Sequence, residues 1–574
     1  DIKGNIVAQR DDAIILSVKF LIEGKIVAIK GLGGFLLACD ATSDQAVALL
    51  RERKQRPAKP LAIMFTSLEK AKQHCKITKK EAKLLLSPQS PIVLVEWQKK
   101  SGISKLVAPG LNYQGVMLPY TPLHHILLKD IAIPLVMTSG NLSEEPIIKD
   151  NDEALYRLGK IADYFLWHDR DIYARYDDSV SMVVDKPQVI RRARGYAPFP
   201  IRLTYKSNSI LACGSELKNT FCLAKDEYAF ISQHIADMEN IETLDHFNNT
   251  INLYKKLFNI EPTIIAHDLH PDYLSTGYAK EIERKIPGVQ LYPVQHHHAH
   301  IVSCIVENNV YEPVIGVAFD GTGFGSDGYI WGGEFLIVDH KNFKRVGHLE
   351  YMPLPGGDAA INKPYRTAIA YLYRLFGNKL LGTLPFTKSI KDDELSLLIR
   401  QVDKGINTTL TSSCGRLFDA VSAMIGIRDE IDYEAQAAIE LEMAAMNAKL
   451  SKDDSYPFNV IVRNGKCIIR FSDTLQAIIL DLEKEMTLYD IAYRFHQTIS
   501  QMIVYVCRWI SKETGIIKVA LSGGVFQNRL LLKLTLDSLK RVGFDIIIHK
   551  QVPTNDACIA LGQAVVANFM IKDK

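Results

Sequence analysis

The sequence has no C-x-x-C pair; its nine cysteines (39, 75, 213, 222, 304, 414, 467, 507 and 558) are scattered along the chain. That spacing excludes a zinc ribbon, and it suits a reducing compartment better than a disulfide framework. G-x-x-x-x-G-K-[ST] is absent, which excludes a Walker-type P-loop. No apolar run reaches the roughly 18 residues of a membrane-spanning helix. The opening DIKGNIVAQRDDAI lacks the layout of a signal peptide, so a cytoplasmic location is expected. Basic residues are not in excess: a net charge of +3 over 574 residues gives no electrostatic footprint for nucleic acid.

What is present is length, and 574 residues exceed what one hydrophobic core supports, so at least two domains are expected. The first two hundred residues alternate amphipathic helical stretches (SDQAVALLRERKQ, SLEKAKQHC) with short β-rich runs (KIVAIKG, LAIMF, PIVLVEW, IPLVMT, SVSMVV, QVIRRA). This is an α/β pattern. RGYAPFPIRLTYKSNS, with two prolines and little periodicity, reads as a linker and places the seam near residue 205. Beyond it, SILACGSELKNTFCLAKDEYAFIS reads as a strand, a polar turn and two more strands. PVIGVAFDGTGFGSDGYIWGGEFLIV repeats that layout, as duplicated lobes facing a cleft would. Near the end, IIKVALSGGVFQNRLLLKLTLDSLKRVGFDIIIHK reads as strand, Gly-Gly turn, helix, strand, the layout that aims backbone amides at phosphate.

Gly323, Gly325 and Gly328 satisfy G-x-G-x-x-G, but the strand-like YIWGGEFLIV follows where a dinucleotide fingerprint needs a helix. Asp320, ahead of these glycines, reads either as a cation ligand or as a turn-capping aspartate. Asp556, in PTNDACIALGQA, reads locally as the N-cap of an Ala-rich helix. The run VQHHHAHIVS is interior to the chain, so it is no purification tag. In a helix, His296 and His300 project from one face a turn apart and could share a metal ion. A polar helix N-terminus explains the run equally well. The glutamate of H-E-x-x-H is missing, so water activation is not its obvious purpose.

Taken in order, QHHHAH, FDGTGFGSDG, SSCGRLFDAVSA, LSGGVFQNR and NDACIALGQA resemble the Kae/TsaD-like carbamoyltransferase superfamily, built on an actin/hexokinase-like ATPase fold. KGLGGFLLACDA, RERKQRPAKPLAIM, TSGNLSEEP and RRARGYAP resemble a YrdC-like domain. In combination they resemble the HypF family of hydrogenase-maturation carbamoyltransferases. The resemblance implies an α/β chain with a YrdC-like domain over residues 1–203 and a two-lobed Kae/TsaD-like domain over 204–574, the lobes meeting near residue 312. The family's acylphosphatase-like domain and paired C-x-x-C zinc fingers are not in this sequence, which leaves the use of carbamoyl phosphate in doubt.

The resemblance further implies that carbamate and ATP give carbamoyl-adenylate and pyrophosphate, and that the carbamoyl group then passes to the C-terminal cysteine of a HypE-type partner. Lys30, Lys54 and Arg56 would meet the triphosphate with Mg2+, beside Ser139 and Asn141 of the S-x-N pattern. Lys59, Arg191 and Arg194 would close over the nucleotide. Without the resemblance, Arg51, Arg53, Lys54 and Arg56 read as a solvated helix face. In the second domain Gly321, Gly323, Gly523, Gly524 and Asn528 would approach a nucleotide. His296, His300, Asp320 and Asp556 would hold one metal ion, iron or zinc. His297 is expected in a supporting role and His298 in packing. Two other readings are a tRNA threonylcarbamoyl transferase, which the modest net charge disfavours, and an actin-like nucleotide switch without covalent transfer.

Overall fold

A computed structural model describes residues 1–98, 101–129, 131–142, 145–381, 384–388, 390–449 and 454–571. The first unit is built on a ten-stranded mixed sheet. Its order from one edge is Pro187–Arg191, Val180–Val183, Ile92–Trp97, Tyr113–Met117, Ala62–Met64, Leu135–Ser139, Phe35–Asp40, Val27–Lys30 and Tyr164–Leu166, with Cys75–Lys76 paired to Ile92–Trp97. Alternate residues of its central strands enter different cores, because successive side chains of a strand point to opposite faces. Ala28, Leu37 and Cys39 pack with helix Asp44–Lys54. Val27, Ile29, Leu36 and Ala38 pack with helices Asp11–Ile22 and Pro122–Lys129.

The segment expected to be a linker is largely strand. Ile201–Ala212 runs through RLTYKSNS as an interior strand, its alternation of buried Ile201 and Leu203 with exposed Arg202 and Thr204 outweighing the polar composition. Each duplicated unit is also a two-stranded hairpin rather than three strands. Cys222–Ile231 stays one strand across KDE because Asp226 takes up the irregularity at a left-handed φ of 51°, where the register shifts. The second hairpin is Val314–Phe319 with Gly333–Val338, and a strand rather than a helix follows the G-x-G-x-x-G run.

Two sheets face each other in this second unit. One has the order Cys222–Ile231, Ile201–Ala212, Ile264–Asp268, Gln290–Val294; the other is seven-stranded, with Val314–Phe319 between Gly333–Val338 and Lys518–Ser522 in its interior. Between them lie two helices, His296–Glu307 and Ile559–Ile571, whose Ile301, Ile305, Ala564 and Val565 share one core with Ala212, Ala318 and Ala520 of the two sheets. The helices touch closely at Gly562, where a Cβ would lie 1.9 Å from the carbonyl oxygen of Ala299. Among the described residues no helix is long and apolar enough to cross a membrane.

Candidate active sites in the two units

The histidine run forms a helix, His296–Glu307, which meets the condition for His296 and His300 to share a face. Gln295 caps it by accepting the His298 amide. His296 and His300 are fully buried and aim Nε2 at two carboxylates. His300 Nε2 lies 2.8 Å from Asp320 Oδ2 and 3.7 Å from Asp556 Oδ1; for His296 Nε2 the distances are 3.9 and 3.8 Å. One ligand atom from each residue falls within 4.8 Å of the others, which suits ligands that each stand about 2.0–2.2 Å from a shared ion. Nε2 of His296 is buried with no hydrogen-bond partner, although buried polar atoms are ordinarily satisfied, and Nε2 of His300 has only the Asp320 carboxylate beside it. The residues fit a metal ion.

The local readings of the two aspartates resolve differently. The capping role near Asp556 falls to Asn555, whose side chain accepts the Ala557 amide, so the Asp556 carboxylate is free to face the imidazoles. Asp320 does both jobs: Oδ1 accepts from the Gly321 and Gly524 amides at 2.8 and 3.2 Å, while Oδ2 faces His300. Asp268, missed from sequence, holds His296 Nδ1 at 2.8 Å. Its only signal was an acid at a strand end in IIAHD, the same signal as Asp320. Burial opposes charge on His296, yet Asp268 and Asp556 raise it to about 10, so the pocket favours a positive occupant. His297, expected in a supporting role, meets Gln295 Nε2 at 3.3 Å and packs its ring beside those of His296, His300 and Trp331; His298 bonds the Asp339 carbonyl and packs near Phe343.

The glycines and the asparagine expected near a nucleotide have partners within the protein. The Gly523 amide donates to Thr554 O and that of Gly524 to Asp320 Oδ1. The Gly-Gly turn instead permits close packing: at Gly523, with φ 103°, a Cβ would meet Phe319 O at 2.1 Å. Gly323 makes room for the rings of His296 and His297, which a Cβ would meet at 2.7 and 2.4 Å. Asn528 caps helix Arg529–Arg541 through Oδ1 and bonds His496 through Nδ2. Gly321 lies beside Arg416, a buried arginine that sequence reasoning passed over.

In the first unit the solvated-face reading fails for Arg51 and Lys54, both buried. Arg51 donates to the carbonyls of Leu106, Arg56, Pro57, Lys59 and Val107 and so shapes the loop that carries Arg56 and Lys59. Lys54 Nζ spends its three donors on Ser139 O, Asn141 O and Asn141 Oδ1, at 2.8, 2.7 and 2.9 Å, and thereby fixes the TSGN loop. Ser139 Oγ completes that loop by donating to Asn141 Oδ1. Lys30 ends its strand with Nζ 3.2 Å from His168 O. Arg56, Lys59 and Arg191 form a cluster of cations: burial and mutual repulsion lower Lys59 to about 8 and Arg56 to about 10. Cations packed against one another are matched by an anionic ligand. Arg194 pairs with Asp178 at 2.8 Å, donates to the Gln89 and Ser90 carbonyls and covers the Tyr120 ring.

Charged side chains join the two sites. Lys59 faces Asp237 and Glu434; Glu434 pairs with Lys218 at 2.6 Å; Lys218 in turn faces Asp556. The Lys218–Glu434 pair keeps 29% and 51% of its side-chain surfaces accessible. The units are clamped together by Arg529, which donates to Leu94 O at 2.7 Å and covers the Tyr113 ring at 3.9 Å, and by Asn555, which donates to Ile190 O.

Comparison with known proteins agrees with this architecture. Residues 19–193 match the Sua5/YciO/YrdC family, described as telomere recombination; 205–307 match the HypF Kae1-like domain, and 316–563 its second subdomain, described as a carbamoyltransferase. Carbamoyltransferase HypF of Synechocystis sp. is 41% identical over 98% of this chain and 74% of its own length. A crystal structure of full-length HypF in a phosphate- and nucleotide-bound form superposes with a TM-score of 0.93 at 46% identity, over 98% of this chain and 87% of that one. The threonylcarbamoyl-AMP synthase of Pyrococcus abyssi is 31% identical over 139 residues, 23% of this chain and 40% of its own. A YrdC-like α/β domain followed by a two-lobed Kae1-like ATPase fold, over nearly the full length, makes this chain a member of the HypF family of carbamoyltransferases.

Proposed function

We propose that the chain forms carbamoyl-adenylate in its first unit and transfers the carbamoyl group in its second, with residues 1–203 and 204–574 as the two working parts. In the first step a carbamate oxygen attacks the α-phosphorus of Mg2+-bound ATP, a new P–O bond forms, and pyrophosphate leaves. Arg56, Lys59 and Arg191 neutralise the triphosphate, while Lys54 holds Ser139 and Asn141 in place. In the second step the thiolate of a C-terminal cysteine on a HypE-type partner attacks the carbamoyl carbon. A C–S bond forms, the C–O bond to the phosphate breaks, and AMP leaves. His296, His300, Asp320 and Asp556 would hold an iron or zinc ion, which when bound supplies Lewis-acid neutralisation of the leaving phosphate.

The observation that carries this reading is the row of charged side chains, Lys59, Asp237, Glu434, Lys218 and Asp556, that runs between two chemically unlike sites in one chain. A mixed anhydride handed along this row would spend little time in bulk water, which would hydrolyse it. The charged row matches an anion: Lys59, Arg191 and Lys218 attract the phosphate, while Asp237 and Glu434 keep it from binding too tightly to move.

The test uses the full chain. His300→Ala should abolish thiol carbamoylation and keep carbamate-dependent ATP–pyrophosphate exchange; Lys54→Ala should remove exchange. Exchange lost in the first variant with transfer preserved would reverse the assignment of the two sites. Production of ADP rather than AMP would favour a nucleotide switch, and threonine-dependent exchange would favour threonylcarbamoylation.

A further inference from the structure

Behind His300, on the side away from the carboxylates, lies a chain of buried polar groups that no step of the carbamoyl chemistry touches. Glu307, the last residue of the histidine helix, has a fully buried carboxylate that accepts from His549 Nδ1 at 2.8 Å and from the amides of Lys550 and Gln551 at 3.1 and 2.6 Å. His549 Nε2 lies 2.8 Å from Ser522 Oγ, and Ser522 Oγ lies 3.3 Å from His300 Nδ1. Cys558 Sγ approaches the same Nδ1 at 3.2 Å. Ser522 and His549 are as buried as His300 itself.

Stability alone does not account for this arrangement. A carboxylate at a helix C-terminus faces the negative end of the helix dipole, and a buried charge is costly unless fully paired. An apolar residue at 307 would avoid both penalties. What the chain does provide is direction. Glu307 accepts on both oxygens, one of them from His549 Nδ1, and where the His549 ring is neutral its Nε2 is left as an acceptor. Ser522 donates its single hydroxyl proton to that nitrogen. Its oxygen is then left to accept, and the group facing it is Nδ1–H of His300. With the proton on Nδ1, the Nε2 lone pair of His300 points between Asp320 and Asp556. His296 is held the same way, but directly, by Asp268.

We propose that Glu307, His549 and Ser522 form a positioning relay that fixes His300 in the tautomer whose Nε2 can ligate a cation. The relay rests on the metal-site reading given above. It explains why the last turn of the histidine helix and the 549–551 segment are tied together at such cost: the two ends of one helix hold the ligand and the group that aims it.

The experiment measures zinc affinity of the full-length protein by competition with a chromophoric chelator, together with the visible spectrum of the cobalt(II)-loaded protein. Ser522→Ala and His549→Gln should each weaken zinc binding about 10- to 100-fold, as loss of an outer hydrogen bond to a ligand does. Their cobalt spectra should shift together, and the double variant should be no weaker than the weaker single one, since one broken link already disconnects the chain. Ser522→Ala removes only one hydroxyl and should melt cooperatively without metal; should His549→Gln fail to fold, Ser522→Ala alone decides. His300→Ala is the reference. Zinc affinity unchanged in Ser522→Ala while His300→Ala loses it would overturn the relay and leave the metal site standing. Additive losses in the double variant would also overturn it, and unchanged affinity in His300→Ala would overturn the site.

Discussion

Gly562→Ala gives opposite predictions from helix propensity and from packing, and the structure decides the sign. Gly562 is an interior residue of helix Ile559–Ile571. By propensity alone, alanine should stabilise this helix by about 1 kcal/mol. A Cβ here would instead sit 1.9 Å from Ala299 O and 2.6 and 2.7 Å from its carbonyl carbon and Cα. Ordinary contact begins near 3.4 Å, so the two helices must separate by about 1.5 Å. The obstacle is backbone, which cannot rotate aside. Overpacking of this kind costs about 1–3 kcal/mol or more, which exceeds the propensity gain. Function should suffer further: Ala299 lies between His298 and His300, and Asp556 is six residues before Gly562, so a separation of that size pulls one metal ligand from another. The expectation is a lower melting temperature and zinc binding weakened at least tenfold, read by calorimetry and chelator competition. A variant as stable as the parent, with unaltered zinc affinity, would refute the reasoning.

Asp268→Asn should weaken zinc binding about 10- to 100-fold. The amide can accept from His296 Nδ1 or from the His270 amide, now bonded to Oδ2 and Oδ1 at 2.8 and 2.9 Å, only by turning its own NH2 toward the other donor. Unchanged affinity would show that Asp268 does not set the tautomer of His296. Arg529→Ala should loosen the first unit by about 2–5 kcal/mol, from a charged hydrogen bond of ~1.5–3 and a cation–π contact of ~0.5–2. Hydrogen exchange should quicken in strands Ile92–Trp97 and Tyr113–Met117, and thiol carbamoylation per AMP formed should fall; protected strands would contradict the clamp. Glu442 accepts the Leu530 amide, and burial raises its carboxyl from 4.5 to about 7. The folded protein thus binds more protons than the unfolded chain between pH 4.5 and 7, and this group's contribution to stability falls as pH rises through that window. Glu442→Gln should flatten the decline in melting temperature over that range; an unaltered profile would mean that Glu442 is ionised throughout.

Where the fold was legible in the sequence, a strong period carried it: the β-runs of the first unit, the histidine helix and the C-terminal strand–turn–helix–strand all form where their patterns place them. The segment after Arg194 was misread because two prolines and several polar residues masked an alternation of only a few positions, Ile201, Leu203 and their neighbours. Lys54 and Arg51 looked solvated because composition cannot show that backbone carbonyls from residues far along the chain converge on them. The four proposed ligands were named before any geometry, but their assembly depends on long-range register, strand ends in two sheets bringing Asp268 and Asp320 to one helix. The same limit hid Ser522, His549 and Glu307, each unremarkable in its own stretch.

The helices His296–Glu307 and Ile559–Ile571 lie between two sheets, and the cage draws on both sides: Asp268 ends a strand of one sheet, and Asp320 follows a strand of the other. Any motion that parted the sheets would therefore also pull the cage apart. With a cation bound as proposed, its occupancy and the approach of the sheets would be linked equilibria, each favouring the other by the same free energy. The ion would then act as a latch: the sheets could not part without first giving up ligands.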